Sequence, residues 1–121
     1  MTQRLGKAYI KANGDLLESM PGAKIDIGGV TRSVVKGNNA ILGYSEQPKE
    51  STVDCEIALG PKTSLVKLAA LADVTITFEC DTGQTYVCKN SFLTEPPVAS
   101  DGDGGKVPLK FAGMPAEEMG V

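Results

Sequence analysis

The chain has 121 residues and a mass of 12.6 kDa, and 41% of its residues are apolar, 22% charged and 5% aromatic. These values are typical of one ordered globular domain, which we expect over residues 1–121, and exclude a disordered or fibrous chain. The net charge of −3 disfavours a protein that grips nucleic acid by its phosphates. Histidine, the commonest general base and metal ligand, is absent. We therefore expect no catalytic site, cofactor or metal, and no enzyme.

Targeting signals are not predicted. No apolar run approaches the roughly 20 residues that a membrane-spanning helix needs, and the N-terminus leads into no apolar segment typical of a secretory signal. Cys55, Cys80 and Cys88 form no CxxC pattern, and a zinc site would lack histidine ligands. We expect free thiols in a protein made in a cytosol.

The first elements are predicted to be strands, since apolar and polar residues alternate along them. Residues 7–12 end at Asn13-Gly14, the strongest signal for a two-residue hairpin, which would pair Ile10 with Leu17. Residues 24–28 alternate again, and after a kink or bulge at Gly28-Gly29 the strand is predicted to resume over residues 30–36.

Residues 36–51 are predicted to be a long loop, because glycine, asparagine and proline lie near its two ends. Apolar Ile41, Leu42 and Tyr44 lie between these ends. Such side chains on an exposed loop indicate a partner surface. The alternative is that the loop folds back over its own core, and the sequence leaves both open.

Residues 52–59 form the clearest predicted strand, with Asp54 and Glu56 on its polar face. Its apolar face consists of Val53, Cys55, Ile57 and Leu59. Residues 63–73 are the one segment with convincing helical spacing of apolar residues, and Thr63 or Ser64 can cap it.

The second half is again predicted to be β-structure. Residues 74–80 alternate strictly, and a three-residue turn after them would set Phe78 opposite Tyr86. Residues 106–113 form a last strand that contains Pro108, which indicates an edge or a bulge. Residues 114–121 are expected to be an acidic tail, mobile unless a partner orders it.

Motifs that could carry chemistry fail on inspection. The stretch around Lys62 lacks the glycines of a phosphate-binding loop, and Asp101 and Asp103 lack the remaining ligands of a calcium loop. Asp54 and Glu56 could suggest a catalytic carboxylate pair, but charged residues on a solvated strand face are far commoner.

Three stretches carry a family likeness. QRLGKAYIKANGDLLESMPGAKIDIGGVTR at residues 3–32 resembles the start of the Mu-like phage tail tube proteins, and so do NSFLTEPP at 90–97 and GDGGKVPLKFAG at 102–113. The likeness covers nearly the whole chain in the right order. It implies an antiparallel β-sandwich or barrel-like tube fold with one flanking helix.

The resemblance also implies an assembly. Such subunits form hexameric rings that stack into a hollow tube inside a contractile sheath, and their strands close one continuous inner barrel. A long hairpin loop reaches the neighbouring ring, a role that falls here on residues 36–51. The ring-contact residues would then be Asn38, Asn39, Ile41, Leu42 and Tyr44.

Partners follow from the same resemblance: further copies of the chain, the sheath, the tape measure protein, and the tail terminator and baseplate proteins. DNA would be non-specific passing cargo, and this subunit would not insert into a membrane. We expect the protein in the virion tail, assembled in the host bacterial cytoplasm.

A conduit should not hold its cargo, so carboxylates facing the lumen would repel phosphates. The first candidates are Asp54 and Glu56, followed by Asp26 and Glu79. The alternative is that these groups face outward, to water or to the sheath.

Two other functions remain possible from sequence. One is the same architecture in a phage-like bacteriocin or a type VI secretion tube. The other is a monomeric β-sandwich that binds a small ligand, which the absence of tryptophan and the few aromatic residues disfavour.

Overall fold

The computed structural model describes residues 2–17, 19–61, 64–102 and 104–119. These residues form ten strands and one short helix. In chain order they are β1 Ala8–Ala12, β2 Asp15–Leu17, β3 Lys24–Asp26, β4 Gly29–Lys36, β5 Ile41–Lys49, β6 Ser51–Ala58, α1 Leu65–Ala69, β7 Val74–Cys80, β8 Thr85–Leu93, β9 Lys106–Gly113 and β10 Glu117–Met119.

The short-range pairings follow the turn chemistry of the sequence. Ile10 pairs with Leu17 across the β1–β2 hairpin, and Asn13 and Gly14 both have positive φ, at 50° and 87°. Phe78 pairs with Tyr86 across the β7–β8 hairpin. Both predicted registers are confirmed, because each turn needs left-handed residues at defined positions.

Eight strands form one antiparallel sheet that folds over on itself. The order is β2-β1-β7-β8-β9-β6-β3, and β10 pairs with β8. Strand β8 belongs to both halves: Ser91 and the residues before it pair with β7, whereas Phe92 and Leu93 pair with β9. The backbone at Asn90 is left-handed, with φ 52°, where the strand passes between the halves.

The two halves enclose a single apolar core. Alternate residues of the central strands point inward and are almost fully buried. The buried side chains are Ile10, Ala12, Val53, Cys55, Ile57, Val74, Ile76, Phe78, Cys88, Val107, Leu109 and Phe111. The mainly β sandwich-like fold predicted from the sequence is therefore confirmed, and the alternation that predicted the strands also identifies most of the core.

All three cysteines carry free thiols, and Cys55 and Cys88 are buried. Burial raises the pKa of Cys55 to about 12, and the neighbouring carboxylates of Asp54 and Glu56 contribute to the rise by disfavouring a further negative charge. Cys55 therefore stays protonated at neutral pH and serves as a core side chain.

Helix α1 is shorter than the predicted residues 63–73. It begins at Leu65, where the Ser64 hydroxyl accepts a hydrogen bond from Lys67 N–H at 3.3 Å. Asp73 has a left-handed φ of 53° where the chain turns to enter β7. Thr63, the other predicted cap, lies outside the described residues. Within the part of the chain that the structure describes, no helix has the length and apolar content needed to cross a membrane.

The prediction of a loop over residues 36–51 is wrong in its detail, because residues 41–49 form strand β5. Only residues 37–40 make the turn, and Gly37 N–H donates to Ala40 C=O at 2.8 Å. Proline near the end of β5 is tolerated since the two-stranded ladder leaves one edge open. Leu59 also departs from prediction: it follows β6 and is exposed.

Residues 114–119 are attached to the sandwich, which corrects the expectation of a loose tail over this stretch. Met114 N–H donates to Lys89 C=O at 3.1 Å, and Ala116 N–H donates to Ile27 C=O at 2.8 Å. Strand β10 then pairs with β8, where a hydrogen bond to Glu118 raises the pKa of Tyr86. The last two residues lie outside the described part.

Strand β9 packs closely against the bend in β8 at Gly113, where no side chain would fit. A Cβ at Gly113 would collide with Ser91 Oγ and lie 2.9 Å from Lys89 O, whereas a Cβ at Gly102 would meet no atom within 4 Å. We expect Gly113→Ala to lower the free energy of unfolding by about 1–3 kcal/mol, as overpacking does. Gly102→Ala should change it little. Urea denaturation of both variants measures this, and equal midpoints would contradict the packing described.

Candidate functional site

The β4–β5 hairpin continues the β3–β6 ladder out of the sandwich. Asp26 faces Thr52 inside the sheet, and beyond a break Gly29 faces Lys49 in the same register. The two ladders therefore form one long antiparallel ribbon, whose outer part has left the core. We call residues 29–49 the projecting hairpin.

The break in the ribbon depends on a glycine. At Gly28 the φ of 70° is left-handed, and a Cβ there would lie 2.6 Å from the carbonyl carbon and oxygen of Glu50. The two strands of the ribbon thus touch backbone to backbone where they leave the sandwich. No other residue offers both the conformation and the space that this contact requires.

An ion pair fastens the base of the projecting hairpin to β3. Lys49 Nζ lies 2.5 Å from Asp26 Oδ2, and Gly28 N–H donates to Asp26 Oδ1 at 3.0 Å. The hydrogen bond from Lys49 lowers the pKa of Asp26, and that from Gly28 lowers it further. Because the folded-state pKa is depressed, this contribution to stability is present at neutral pH and is lost as the pH falls through that pKa.

The projecting hairpin is uncovered on both of its faces. Ile41, Leu42 and Tyr44 are 73%, 70% and 65% exposed. Val34, which pairs directly with Tyr44, is 61% exposed. The alternative that this segment covers its own core is therefore wrong.

Two contacts order the hairpin's own surface. The Arg32 guanidinium carbon lies 5.8 Å from the centre of the Tyr44 ring, and Arg32 Nε lies 3.5 Å from Glu46 Oε1. An isolated two-stranded hairpin is marginally stable in water at best. The hairpin lacks a core on either face, and exposed apolar side chains in this arrangement are typical of a surface that binds a partner.

All five predicted ring-contact residues lie in the turn and the first part of β5. Asn38 and Asn39 are turn residues, and Ile41, Leu42 and Tyr44 follow them. Val34 and Val35, on the partner strand, were not among the predicted contacts. Their place in a predicted strand over residues 30–36 was visible in the sequence, but the exposure of both hairpin faces was not.

The four candidate lumen carboxylates do not share one surface. Asp54 and Glu56 lie on the outer face of β6, and the β3–β6 register places Asp26 on the same face. Glu79 lies on the outer face of β7, on the opposite side of the sandwich. A single wall built from one sheet face can therefore present either the group of three or Glu79.

Lysines neutralise most of this charge. Glu56 Oε2 lies 3.0 Å from Lys106 Nζ, and Glu79 Oε1 lies 3.1 Å from Lys11 Nζ. Lys24 and Lys110 stand directly opposite Asp54 on its two sides. Positive and negative side chains therefore alternate on the outer faces. The sequence of a single strand does not reveal this pattern, because it depends on which residues are neighbours across the strands.

Nothing in the described ranges resembles a metal centre: residues 2–17, 19–61, 64–102 and 104–119 contain no group of three or more acidic or cysteine side chains placed to hold an ion. The surface features that stand out are instead the projecting hairpin and the open edges of β2 and β3.

Known proteins are similar to this chain in sequence, and a solved structure is similar to it in fold. A family model described as phage tail tube protein matches residues 1–118. The tail tube protein of Escherichia phage Mu is 35% identical over 107 residues, which cover 88% of this chain and 87% of that protein. The Mu-like prophage FluMu tail tube protein of Haemophilus influenzae is 31% identical over 118 residues, covering 98% of each.

A solved structure described as the sheath-tube complex of an extracellular contractile injection system, PVC, in the extended state has the same fold. The TM-score is 0.63 with 10% sequence identity, and the match covers 95% of this chain and 89% of that chain. A sandwich with open edges and an uncovered hairpin is suited to contacts with other chains, and the sequence relatives are tail tube proteins. This chain belongs to the phage tail tube protein family, so the resemblance inferred from its sequence is confirmed.

The glycine contact at the base of the hairpin gives a matched pair of substitutions. Asparagine tolerates a left-handed backbone, so Gly28→Asn and Gly14→Asn carry little conformational strain. Only at Gly28 does the new Cβ meet the Glu50 backbone, since nothing lies within 4 Å at Gly14.

We expect Gly28→Asn to cost about 2 kcal/mol or more, as collisions in packed sites do, and Gly14→Asn less than about 1 kcal/mol. Urea denaturation gives the free energies, and hydrogen exchange should show faster exchange at the base of the projecting hairpin in Gly28→Asn. Equal behaviour of the two variants would show that the close approach at Gly28 is unimportant.

Proposed function

We propose that this chain is the tube subunit of a contractile phage tail, in which hexameric rings stack into a hollow conduit. The observation that carries the proposal is the projecting hairpin, which extends the β3–β6 ribbon beyond the core with its apolar side chains exposed. Eight residues of strand span about 26 Å, enough to reach well beyond the subunit's own body. In a stack, the next ring supplies the surface that this hairpin lacks.

Open strand edges support assembly within a ring. Strands β2 and β3 end the folded sheet, and each leaves one row of backbone donors and acceptors without a neighbouring strand among the described residues. Such edges promote uncontrolled pairing in a monomer. A ring that joins subunits edge to edge satisfies these groups and closes a barrel.

The remaining partners come from the family and from the fold. The likeness to a tube inside a sheath supports a contractile sheath around this tube. The family resemblance implies a terminator and a baseplate at its ends. The tape measure protein would occupy the lumen before ejection, and DNA would pass through it afterwards. Virion assembly would take place in the host cytoplasm.

The outer face of β3, β6 and β9 is our candidate for the lumen wall. It carries Asp54 and Glu56 among lysines, so no extended positive patch is available to hold phosphates. Non-specific DNA binding depends on clustered positive charge. A chequered surface therefore lets DNA slide without gripping it.

A tube in a phage-like particle or secretion machine is the second candidate, and the likeness to an injection-system tube favours it. The sequence relatives from phage Mu and a Mu-like prophage favour a phage tail. A monomeric ligand-binding sandwich is disfavoured by the family and by the uncovered hairpin.

Stacking can be tested by removing the apolar groups of the hairpin. The triple substitution Ile41→Ser, Leu42→Ser and Tyr44→Ser, which we call the tip variant, should leave a folded subunit that no longer stacks. Burial of each such side chain contributes about 1.5–3 kcal/mol, so loss of three should be decisive.

Size exclusion and negative-stain electron microscopy measure the outcome, with Val66→Ser on exposed α1 as the control. We expect tubes from the wild type and from the control, and single rings or monomers from the tip variant. Normal tubes from the tip variant would refute the assignment of the hairpin. A wild-type monomer at every concentration would refute the tube itself.

The lumen assignment is tested by charge changes on the two opposite faces. Asp54→Lys with Glu56→Lys should create a positive wall with Lys24 and Lys110 and slow DNA passage, whereas Glu79→Lys should not. Asp54→Asn with Glu56→Gln provides a milder version if the lysines impair folding. DNA ejection from particles carrying each variant is measured after electron microscopy confirms assembly. Slower ejection with Glu79→Lys alone would place the lumen on the other face.

A further inference from the structure

An apolar groove lies on the subunit far from the projecting hairpin. Its volume is about 490 Å³, and it opens between the N-terminal segment and the chain around β2. Apolar lining residues include Leu5, Leu16, Leu17, Met20 and Ala23. Leu5 and Leu16 are 56% and 55% exposed, so the subunit itself leaves them uncovered. Exposed apolar grooves of this kind are typical of binding surfaces.

The groove and the hairpin lie at opposite ends of β6. Met20 N–H donates to Glu56 C=O at 2.6 Å, and Ser19 forms a bridge with Ile57, so this wall of the groove adjoins the end of the strand. The hairpin joins the sandwich at Ser51, where the strand begins. Six residues of strand separate the two points by about 20 Å.

We propose that this groove receives the tip of the projecting hairpin from a second copy of the chain, an inference that rests on the proposed tube. A contact that joins one end of a molecule to the opposite end of the next is heterologous. It leaves a hairpin unused at one end and a groove unused at the other. Stacking therefore continues without a built-in limit, as a tail tube requires.

Charge favours the same occupant. The projecting hairpin carries Arg32, Lys36 and Lys49 against Glu46, a net charge of +2, while the whole chain carries −3. The remainder of each subunit is therefore at −5 and attracts the hairpin of another copy. Such complementarity mainly speeds association and fixes orientation.

Charges of both signs lie near the groove, so local charge does not by itself select the tip. Lys36 faces Ile41 at the tip, and Asp15 directly precedes Leu16 in β2. Lys7 also belongs to the lining. Selection of the tip should therefore depend on apolar contact, with the net charges of the two parts assisting.

The test uses Leu16→Asp as a groove variant, with Val66→Asp as its matched control. Both residues are exposed, Val66 at 81%, so neither change should unfold the subunit. We expect Leu16→Asp to form rings but to raise the concentration needed for stacking by about tenfold or more. Val66→Asp should stack like the wild type.

A mixture of the tip variant and the groove variant tests whether the hairpin tip binds the groove. The tip variant retains its groove, and the groove variant retains its tip, so rings of the two kinds should join in pairs and stop. Neither variant alone should form such pairs. Electron microscopy of the mixture measures the distribution of stack lengths.

A disulfide cross-link can detect the contact between the hairpin tip of one copy and the groove of the next. Leu16→Cys with Leu42→Cys in one chain should give a ladder of disulfide-linked chains when assembled tubes are mildly oxidised, because bridged Cα atoms lie within about 7 Å. Each single cysteine variant is the control for the native thiols.

The outcomes are distinguishable. If the wild type never stacks, the proposed tube fails. If the wild type stacks but Leu16→Asp stacks equally well, or if the cysteine pair gives no more ladder than the single variants, the groove is not the docking site. Loss of rings themselves in folded Leu16→Asp would also overturn the proposal, since it would show that the Leu16 side chain, and not only the backbone edge of β2, is buried between neighbours within one ring.

Discussion

The close backbone contact at Gly28 is the constraint on which the rest of the molecule depends. It allows one antiparallel ribbon to serve two purposes: its inner part, β3 and β6, completes the sandwich, and its outer part leaves the core as the projecting hairpin. The Asp26–Lys49 ion pair fastens the same junction. A side chain at position 28 would separate the strands where the hairpin needs a fixed direction.

Folding and assembly divide the apolar residues between them. The alternating apolar side chains of β1, β6, β7 and β9 are buried in the core. Residues 114–119 then bind along β8 and close the sandwich. The apolar groups of the hairpin and of the groove remain outside this core. A subunit folded in this way has a complete core but leaves apolar surface exposed to water. We propose that other copies of the chain cover this surface.

Sequence predicts this fold well wherever local chemistry decides. Asn13-Gly14 determines one hairpin, and strict alternation over residues 74–80 determines a strand and its buried face. Prediction was wrong where residues typical of turns interrupt a strand. Residues 41–49 resemble a loop because glycine and proline interrupt them, yet pairing with β4 makes them a strand.

The candidate sites divide in the same way. Exposed Ile41 and Tyr44 could be suspected from sequence, since an apolar group in a polar segment has few reasons to be there. The separation of Glu79 from Asp54 could not, because it depends on how β8 passes between the two halves of the sheet. The same is true of the lysines that neutralise the carboxylates, whose positions follow from cross-strand register.

Hydrogen exchange of the free subunit and of the assembled protein tests the central claim most directly. In the free subunit, the amides of residues 29–49 should exchange far faster than those of β6 and β7, because no core covers the hairpin. Assembly should slow exchange in the hairpin strongly and leave the core strands nearly unchanged. A hairpin already protected in the free subunit, or one that stays unprotected in the assembly, would contradict the account.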